Sequence, residues 1–143
     1  MEVTLILNLF SSFFLCGLIW TVQLVHYPSF HGFEKETYHE WMSLHKSRIS
    51  FIVLPVMLTE LGSSILLAIS ETTYSVLHQT GLGIVVLIWL ITFFVQVPLH
   101  EKLSAGYRQE IVQKLVFSNR WRTLLWSIKS ILGMYLLTRF TGL

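Results

Sequence analysis

Charged residues and cysteine are both scarce in this sequence of 143 residues. Charged residues make up 13% of the chain and hydrophobic residues 53%, with a mean hydropathy of +0.63. An average soluble domain has about 25% charged residues, so the composition excludes a soluble monomer. The single cysteine, Cys16, excludes an intrachain disulfide framework and a cysteine-based zinc site. The net charge of +2 argues against nucleic acid as a partner, because nucleic acid favours a clustered basic surface.

In place of charge, the sequence has long apolar segments. A helix needs about 20 mostly apolar residues to cross the roughly 30 Å hydrocarbon layer of a bilayer. Four segments come close to this length: approximately residues 3–25, 50–70, 82–99 and 123–140. The first lacks the basic region and the cleavage site of a secretory signal, so we interpret it as a retained span. The predicted fold class is all-α, a four-helix transmembrane bundle that forms one domain over residues 1–143.

The two long joints between these spans, residues 26–49 and 100–122, show helical spacing. In the first joint, apolar residues from Tyr38 to Ile52 recur at three- and four-residue steps and lead into the second span. The second span is therefore expected to begin early, near Glu36. We expect both joints to form helical extensions at the membrane interface.

The distribution of basic residues predicts an orientation. Successive spans alternate in direction, so the two long joints share one membrane face, and the joint at 71–81 shares the other face with both termini. Eight of the ten Lys and Arg residues lie on the long-joint face, and only Arg139 lies on the other. Because short loops rich in Lys and Arg stay in the cytoplasm, we expect an N-out, C-out protein in a bacterial inner membrane.

Two ionisable residues lie inside the predicted spans. Glu60 lies twelve residues past Arg48, which places it roughly 18 Å below the cytoplasmic end of the second helix and close to the midplane. Lys129 lies seven residues past Arg122, roughly 10 Å into the fourth helix. An ionisable side chain in a span is costly and is a candidate functional residue. We expect Glu60 and Lys129 either to pair or to face polar cavities.

Three histidines are predicted to meet at the cytoplasmic face. His26 ends the first span, His45 opens the second and His100 ends the third. Gln23 lies three residues before His26, and Gln96 lies four residues before His100, so each amide shares a helix face with its histidine. Three more polar residues are expected at the rim of this cluster: Arg48, Asn119 and Arg122.

These histidines are candidate metal ligands. Imidazole is the commonest protein ligand for transition metals, and helix bundles build cofactor sites from facing helices. Three histidines with a carboxylate nearby suit copper, iron or zinc, whereas two on opposite helices suit haem. The run from His100 to Ser104 lacks the second histidine of the zincin signature, so no regular motif chooses between these cofactors.

Three runs carry a resemblance to known proteins: Trp20–Phe30 (WTVQLVHYPSF), His45–Pro55 (HKSRISFIVLP) and Gln96–His100 (QVPLH). They resemble an uncharacterised group of small bacterial four-span membrane proteins, over most of the chain. More loosely, the chain is similar to the anthrone-oxygenase-like membrane proteins and to the four-helix bacterial protoporphyrinogen oxidase, which binds haem. The first resemblance implies the four-span architecture, and the looser ones imply oxidation chemistry.

The favoured hypothesis is a membrane oxidoreductase whose metal or haem is held by the three histidines at the cytoplasmic end of the bundle. Glu60 would be a further ligand or a proton acceptor, and Gln23 and Gln96 would orient the imidazoles. The substrate would be a small hydrophobic molecule, such as a quinone, a phenol or a fatty chain. It would enter laterally from the lipid bilayer and stack on Trp20 and Trp126.

Two other functions remain open from the sequence. One is a proton-coupled transporter or conduit that relays protons through Glu60 and Lys129, with the histidines as a pH-sensitive gate. Because four spans make a narrow bundle, this function would require a homo-oligomer. The other is a non-enzymatic membrane subunit whose helical joints bind a cytoplasmic partner.

Several polar and small residues are expected to have only a structural role. Cys16 is expected to pack as a small hydrophobe. The remaining histidines, His31, His39 and His78, are expected to face solvent. Three glycines are expected to allow close helix contacts: Gly62, Gly83 and Gly133.

Overall fold

The computed structural model describes residues 2–29, 38–70 and 73–141, and all regular secondary structure in these ranges is helical. The elements in chain order are α1 (Glu2–Thr21), a π-helical turn (Val22–His26), α2 (Tyr38–Ala68), α3 (Ser75–Ile91), a second π-helical turn (Thr92–Gln96), α4 (Val97–Ser104) and α5 (Gln109–Thr141). The expected start of the second span near Glu36 lies outside the described residues.

Three helical segments are long and apolar enough to cross a membrane: Glu2–His26, Met42–Ala68 and Ser75–Ser104. Large hydrophobic side chains point away from the protein along them; Phe51, for example, is 83% exposed and Phe94 is 76% exposed. Exposed apolar surface on this scale marks contact with lipid or with another protein, which is consistent with an integral membrane protein. The expected fourth span at 123–140 lies within α5, where Lys129 and Arg139 lower the mean hydropathy.

The long helices pack in a closed ring of neighbours. The first helix, α1, packs against α2 and α5, and α3 packs against the same two helices. Buried apolar side chains between these helices form three clusters, which follow one another along the length of the helices. The middle cluster contains Leu15, Ile19, Met57, Ile88 and Trp126. The cluster beside the short joint contains Leu5, Leu9 and Leu67.

The third cluster joins the helical extensions of the long joints, and contains Tyr27, Met42, Leu103, Val112 and Leu115. These extensions continue the long helices and do not form separate elements. The last helix, α5, has 33 residues and is about 50 Å long, some 20 Å more than the thickness of the hydrocarbon layer. It is separated from α4 by a short bend in which Gly106 has a φ of 152°, a conformation that L side chains rarely adopt.

Close helix contact occurs at only some of the expected glycines. A Cβ atom at Gly133 would lie 2.9 Å from Leu9 Cδ2, so α1 and α5 approach closely there, as expected. The expectation is wrong for Gly62 and Gly83, because no atom of the described residues lies within 4 Å of a Cβ at either position. Gly81 takes this role instead, since a Cβ there would lie 3.4 Å from the end of the Lys129 side chain.

Candidate functional site

The structure brings the three predicted histidines together. The Nε2 atoms of His26 and His45 lie 3.3 Å apart, and the centroids of the two rings are separated by 4.1 Å. The His100 ring lies on the other side of His45, with the centroids 6.2 Å apart and the planes 26° from parallel. We call these three residues the histidine cluster. It joins helices that are distant along the chain.

Two prolines explain the local backbone that carries this cluster. Each π-helical turn ends two residues before a proline, at Pro28 and at Pro98. A proline has no N–H and its ring collides with the preceding turn, so the backbone before it widens. In the first turn the Tyr27 N–H donates to Val22 O, five residues back, at 2.9 Å. Wide turns of this kind are frequent at functional sites, and these two carry His26 and Gln96.

Gln96 holds His100 through its backbone. His100 Nδ1 lies 2.8 Å from Gln96 O, and a carbonyl oxygen only accepts, so Nδ1 carries the proton and Nε2 carries the lone pair. The Gln96 side chain instead accepts a hydrogen bond from Tyr27 Oη at 3.3 Å and donates to Ser118 Oγ at 2.9 Å. The amide therefore ties the first, third and fifth helices together beside the histidines.

Gln23 contacts α5 rather than a histidine. Its Oε1 accepts from Asn119 Nδ2 at 2.9 Å, and Asn119 Oδ1 accepts from Arg122 Nη1 at 3.1 Å. The expectation that Asn119 and Arg122 lie at the rim is wrong, because both are buried; Arg122 is only 8% exposed. The physical reason is that packing against α1 turns this face of α5 inward. Arg48 is exposed and does lie at the surface.

The described residues contain no group of three or more His, Cys, Asp or Glu side chains placed to hold a metal ion. The histidine cluster is therefore not a preassembled three-nitrogen site. Glu60 also lies far from it, because the fifteen residue steps from His45 to Glu60 span about 22 Å of helix. The expectation that Glu60 is a further metal ligand is wrong for this reason.

A cavity of about 330 Å³ ends at the histidine cluster. Its lining is mostly apolar, and its polar side chains include His45, His100, Tyr27, Gln96 and Arg122. The lining residues on α2 and on the third helix include exposed side chains, whereas those on α1 and α5 are mostly buried. The cavity therefore opens sideways between α2 and the third helix, toward the region that lipid would occupy.

The side chains of Lys46 and Glu101 close the outer end of the cavity. Lys46 Nζ donates to Glu101 Oε1 at 2.6 Å, which links α2 to α4.

Tyr27, one residue past the first candidate span, is buried at the inner side of the cavity. Burial raises the pKa of Tyr27 to about 12, although the nearby positive charge of Arg122 opposes this shift. The phenol therefore remains a neutral donor to Gln96.

A second polar group lies deeper in the protein, around Glu60. The carboxylate is fully buried and accepts hydrogen bonds from Ser12 Oγ at 2.8 Å and from Trp126 Nε1 at 3.0 Å. Lys129 is 4% exposed and donates to Asn8 Oδ1 at 2.8 Å. Within the described residues, Lys46–Glu101 is the only ion pair closer than 4 Å, so Glu60 and Lys129 do not pair directly.

Asn8 connects Lys129 to α2, where its amide also lies 3.4 Å from the backbone oxygen of Glu60. Its amide donates to the hydroxyls of Ser63 and Ser64, at 3.0 and 2.8 Å. The polar group formed by Asn8 and Ser12 of α1 with Ser63 and Ser64 of α2 was not predicted from the sequence. The signal was present, because Asn8 and Ser12 lie four residues apart on one face of α1, and Glu60 and Ser64 have the same spacing on α2.

His78 is not at the surface, contrary to expectation. It is 4% exposed, and its Nε2 has no hydrogen-bond partner in the part of the chain that the structure describes. Its position in the second turn of α3, which packs against both α2 and α5, accounts for the burial. It lies about 33 Å along the helix from His100 and takes no part in the histidine cluster.

Comparisons of the chain with models of known protein families, with curated proteins and with solved structures found no match. The features of this protein that indicate a function are therefore the histidine cluster, the cavity and the Glu60 group.

Proposed function

We propose that the protein crosses the membrane four times, with α5 as the fourth span. The packing of α5 against both α1 and α3 supports this proposal, because it buries Lys129 and leaves apolar side chains such as Ile131 outside. With four spans, the excess of Lys and Arg on the long joints favours a cytoplasmic histidine cluster in a bacterial inner membrane, with both termini outside.

We further propose that it is a metal-dependent oxidoreductase acting on a small hydrophobic substrate. The observation that carries this proposal is the cavity: an apolar space that opens toward lipid and ends at two imidazoles, His45 and His100. Such a space suits a quinone, a phenol or a fatty chain taken laterally from the bilayer. Trp126 lines the inner wall of this space, but it is 1% exposed and Arg122 lies over its ring, so it bounds the cavity without presenting a ring face for stacking.

The His26–His45 pair favours a single transition-metal ion over haem. Two nitrogens that each bind one ion at about 2.0–2.1 Å in tetrahedral geometry lie about 3.3 Å apart. The observed Nε2–Nε2 separation of 3.3 Å matches this value and is also that of a hydrogen bond between the two rings. With the centroids 4.1 Å apart, the rings would rotate to bring both lone pairs onto one ion, and they leave no space for a porphyrin between them. His100 carries its lone pair on Nε2 and is suited either to complete the ligand set or to accept a proton. A bound copper or iron ion would supply the electron acceptor.

Elemental analysis and a visible spectrum of the detergent-purified protein test this function. We expect close to one equivalent of copper or iron, and we expect H26A and H45A each to lose it. Zinc alone would contradict the oxidoreductase proposal, because Zn²⁺ has no redox chemistry. H78N is the matched control, because it removes a buried histidine outside the cluster and should retain the metal. Less than about 0.2 equivalents in wild type after attempted reconstitution would overturn the proposal.

A proton conduit is the second candidate, and the buried Glu60 group favours it. Two ionisable residues lie deep in the protein, Glu60 on α2 and Lys129 on α5, and Asn8 of α1 bonds both the Lys129 ammonium and the backbone oxygen of Glu60. Buried ionisable groups of this kind are found in proton relays. The narrow bundle would require a homo-oligomer. In liposomes, proton flux that disappears in E60Q and persists without bound metal would favour the conduit. The absence of both metal and flux would leave a non-enzymatic membrane subunit.

A further inference from the structure

Arg122 is a buried positive charge that has no acidic partner among the described residues. It is 8% exposed, and its Nε is buried with no hydrogen-bond partner in the described residues. Its Nη1 donates to the neutral amide oxygen of Asn119. The guanidinium lies over the Trp126 ring, 5.0 Å from its centroid, which fixes its plane.

Two described carboxylates on the neighbouring helices, those of Glu60 and Glu101, are already engaged by other groups. Both carboxylate oxygens of Glu60 accept hydrogen bonds, from Ser12 and Trp126. Glu101 is paired with Lys46 at the outer end of the cavity. A guanidinium removed from water costs several kcal/mol unless an anion or a network of acceptors compensates it. The charge of Arg122 is therefore available to a ligand.

The same arginine lines the cavity. Its side chain is thus placed at the buried end of a mostly apolar space that opens toward lipid between α2 and the third helix. A ligand that fits both features has an anionic head and an apolar tail. A guanidinium and a carboxylate match in shape, because two parallel N–H groups meet two oxygens.

The volume of the cavity fits one hydrocarbon chain. At roughly 30 Å³ for a group the size of a water molecule, a space of 330 Å³ holds about eleven such groups. A fatty chain of about twelve carbons fills it, whereas the two long chains of a phospholipid do not fit. We propose that the cavity binds a single-chain amphiphile with a carboxylate head, oriented with the carboxylate at Arg122 and the chain toward the lateral opening.

This inference names the substrate class of the proposed function and shares its cavity, but it does not require the metal. The test uses the full-length protein in phosphatidylcholine nanodiscs at pH 8, with binding corrected for partition into empty nanodiscs. The probes are dodecanoate and dodecanol, which have the same chain and differ in the charge of the head. We expect wild type to bind dodecanoate at least about tenfold more tightly than dodecanol.

Variants of Arg122 and of the nearby Arg120 show whether the preference for dodecanoate depends on the positive charge in the cavity or on any positive charge on this helix. R122Q should lose the preference for dodecanoate while still binding dodecanol, which would also show that the cavity is intact. R122K, which keeps the charge but loses the planar fork, should retain part of the preference. R120Q is the matched control, because Arg120 is exposed on the same helix. The R120Q variant should bind both probes as wild type does.

A cavity-filling variant provides a second measurement if R122Q does not fold. Ser50 lines the cavity on α2 and is exposed, so S50W should block the opening and weaken binding of both probes at least about tenfold. Unchanged binding in S50W, or a dodecanoate preference that survives R122Q, would overturn the inference. So would stoichiometric displacement of dodecanoate by phosphatidylglycerol, which would identify a lipid headgroup as the occupant.

Metal content distinguishes this inference from the oxidoreductase proposal. R122Q should keep the metal content of wild type, because Arg122 does not belong to the His26–His45 pair. A dodecanoate preference in a protein without metal would end the oxidoreductase proposal and support the ligand site. Bound metal in a protein that shows no preference for dodecanoate would support the oxidoreductase proposal and overturn the ligand site.

Discussion

Replacing Asn8 with leucine tests the buried group around Lys129. The substitution keeps the branched shape and the number of heavy atoms of the side chain but removes the amide that holds α1, α2 and α5 together. Two interhelical hydrogen bonds, to Ser63 and Ser64, are lost at about 0.6 kcal/mol each. The bond from the Lys129 ammonium is also lost, which costs about 1.5–3 kcal/mol because the donor is charged and buried. We therefore expect N8L to lower the free energy of unfolding by about 3–4 kcal/mol.

Most of this cost should disappear when the charge is removed as well. In the double variant N8L/K129M no buried ammonium remains without an acceptor, so we expect a total loss of only about 1–2 kcal/mol. The measurement is reversible unfolding in mixed micelles with increasing dodecyl sulfate, followed by tryptophan fluorescence. T59V is the control, because Thr59 bonds only within its own helix, to Pro55 O, and should change stability by less than about 0.5 kcal/mol. A loss below about 1 kcal/mol in N8L, or a double variant that equals the sum of the singles, would refute the reasoning.

Three other predictions concern the ends of the helices and their contacts. The raised pKa of Tyr27 favours the neutral phenol in the folded state, so the contribution of Tyr27 to stability is constant below pH 10 and falls by roughly 3 kcal/mol between pH 10 and 12. Y27F should lose this part of the pH dependence in alkaline unfolding curves. G133V should cost about 1–3 kcal/mol more in thermal unfolding than G83V, since only Gly133 faces a close neighbour, and equal costs would contradict the packing. In a cysteine-free background, an impermeant maleimide should label R139C from outside the cell and K102C only after lysis. Labelling of both from one side would show that α5 does not cross the membrane.

The helices and the meeting of the histidines were accessible from the sequence because both depend on simple rules. Hydropathy and length are properties of short segments, and they located the cores of α1, α2 and α3. Alternation of direction then placed His26, His45 and His100 at one end. The metal, the orientation and the number of spans remain predictions.

Other features were not accessible because they depend on how each helix is rotated about its own axis. Arg122 was expected at the rim and His78 in solvent, yet both are buried, since α5 and α3 turn those faces toward their neighbours. The partners of Glu60 come from α1 and α5, about 48 and 66 residues away along the chain. No local pattern specifies which of several polar residues at similar depth will meet.

The amino-acid sequence by itself determined an apolar, all-helical chain with polar residues at particular depths, because burial in lipid requires long apolar segments whose backbone bonds are satisfied internally. Only the tertiary structure decided which polar groups touch. It placed Asn8 between Lys129 and the serines of α2, and it left Arg122 at the end of an apolar cavity. The physical reason is that helix rotation and close packing are set by all contacts of the helix at once, and a single segment of sequence contains only one side of each contact.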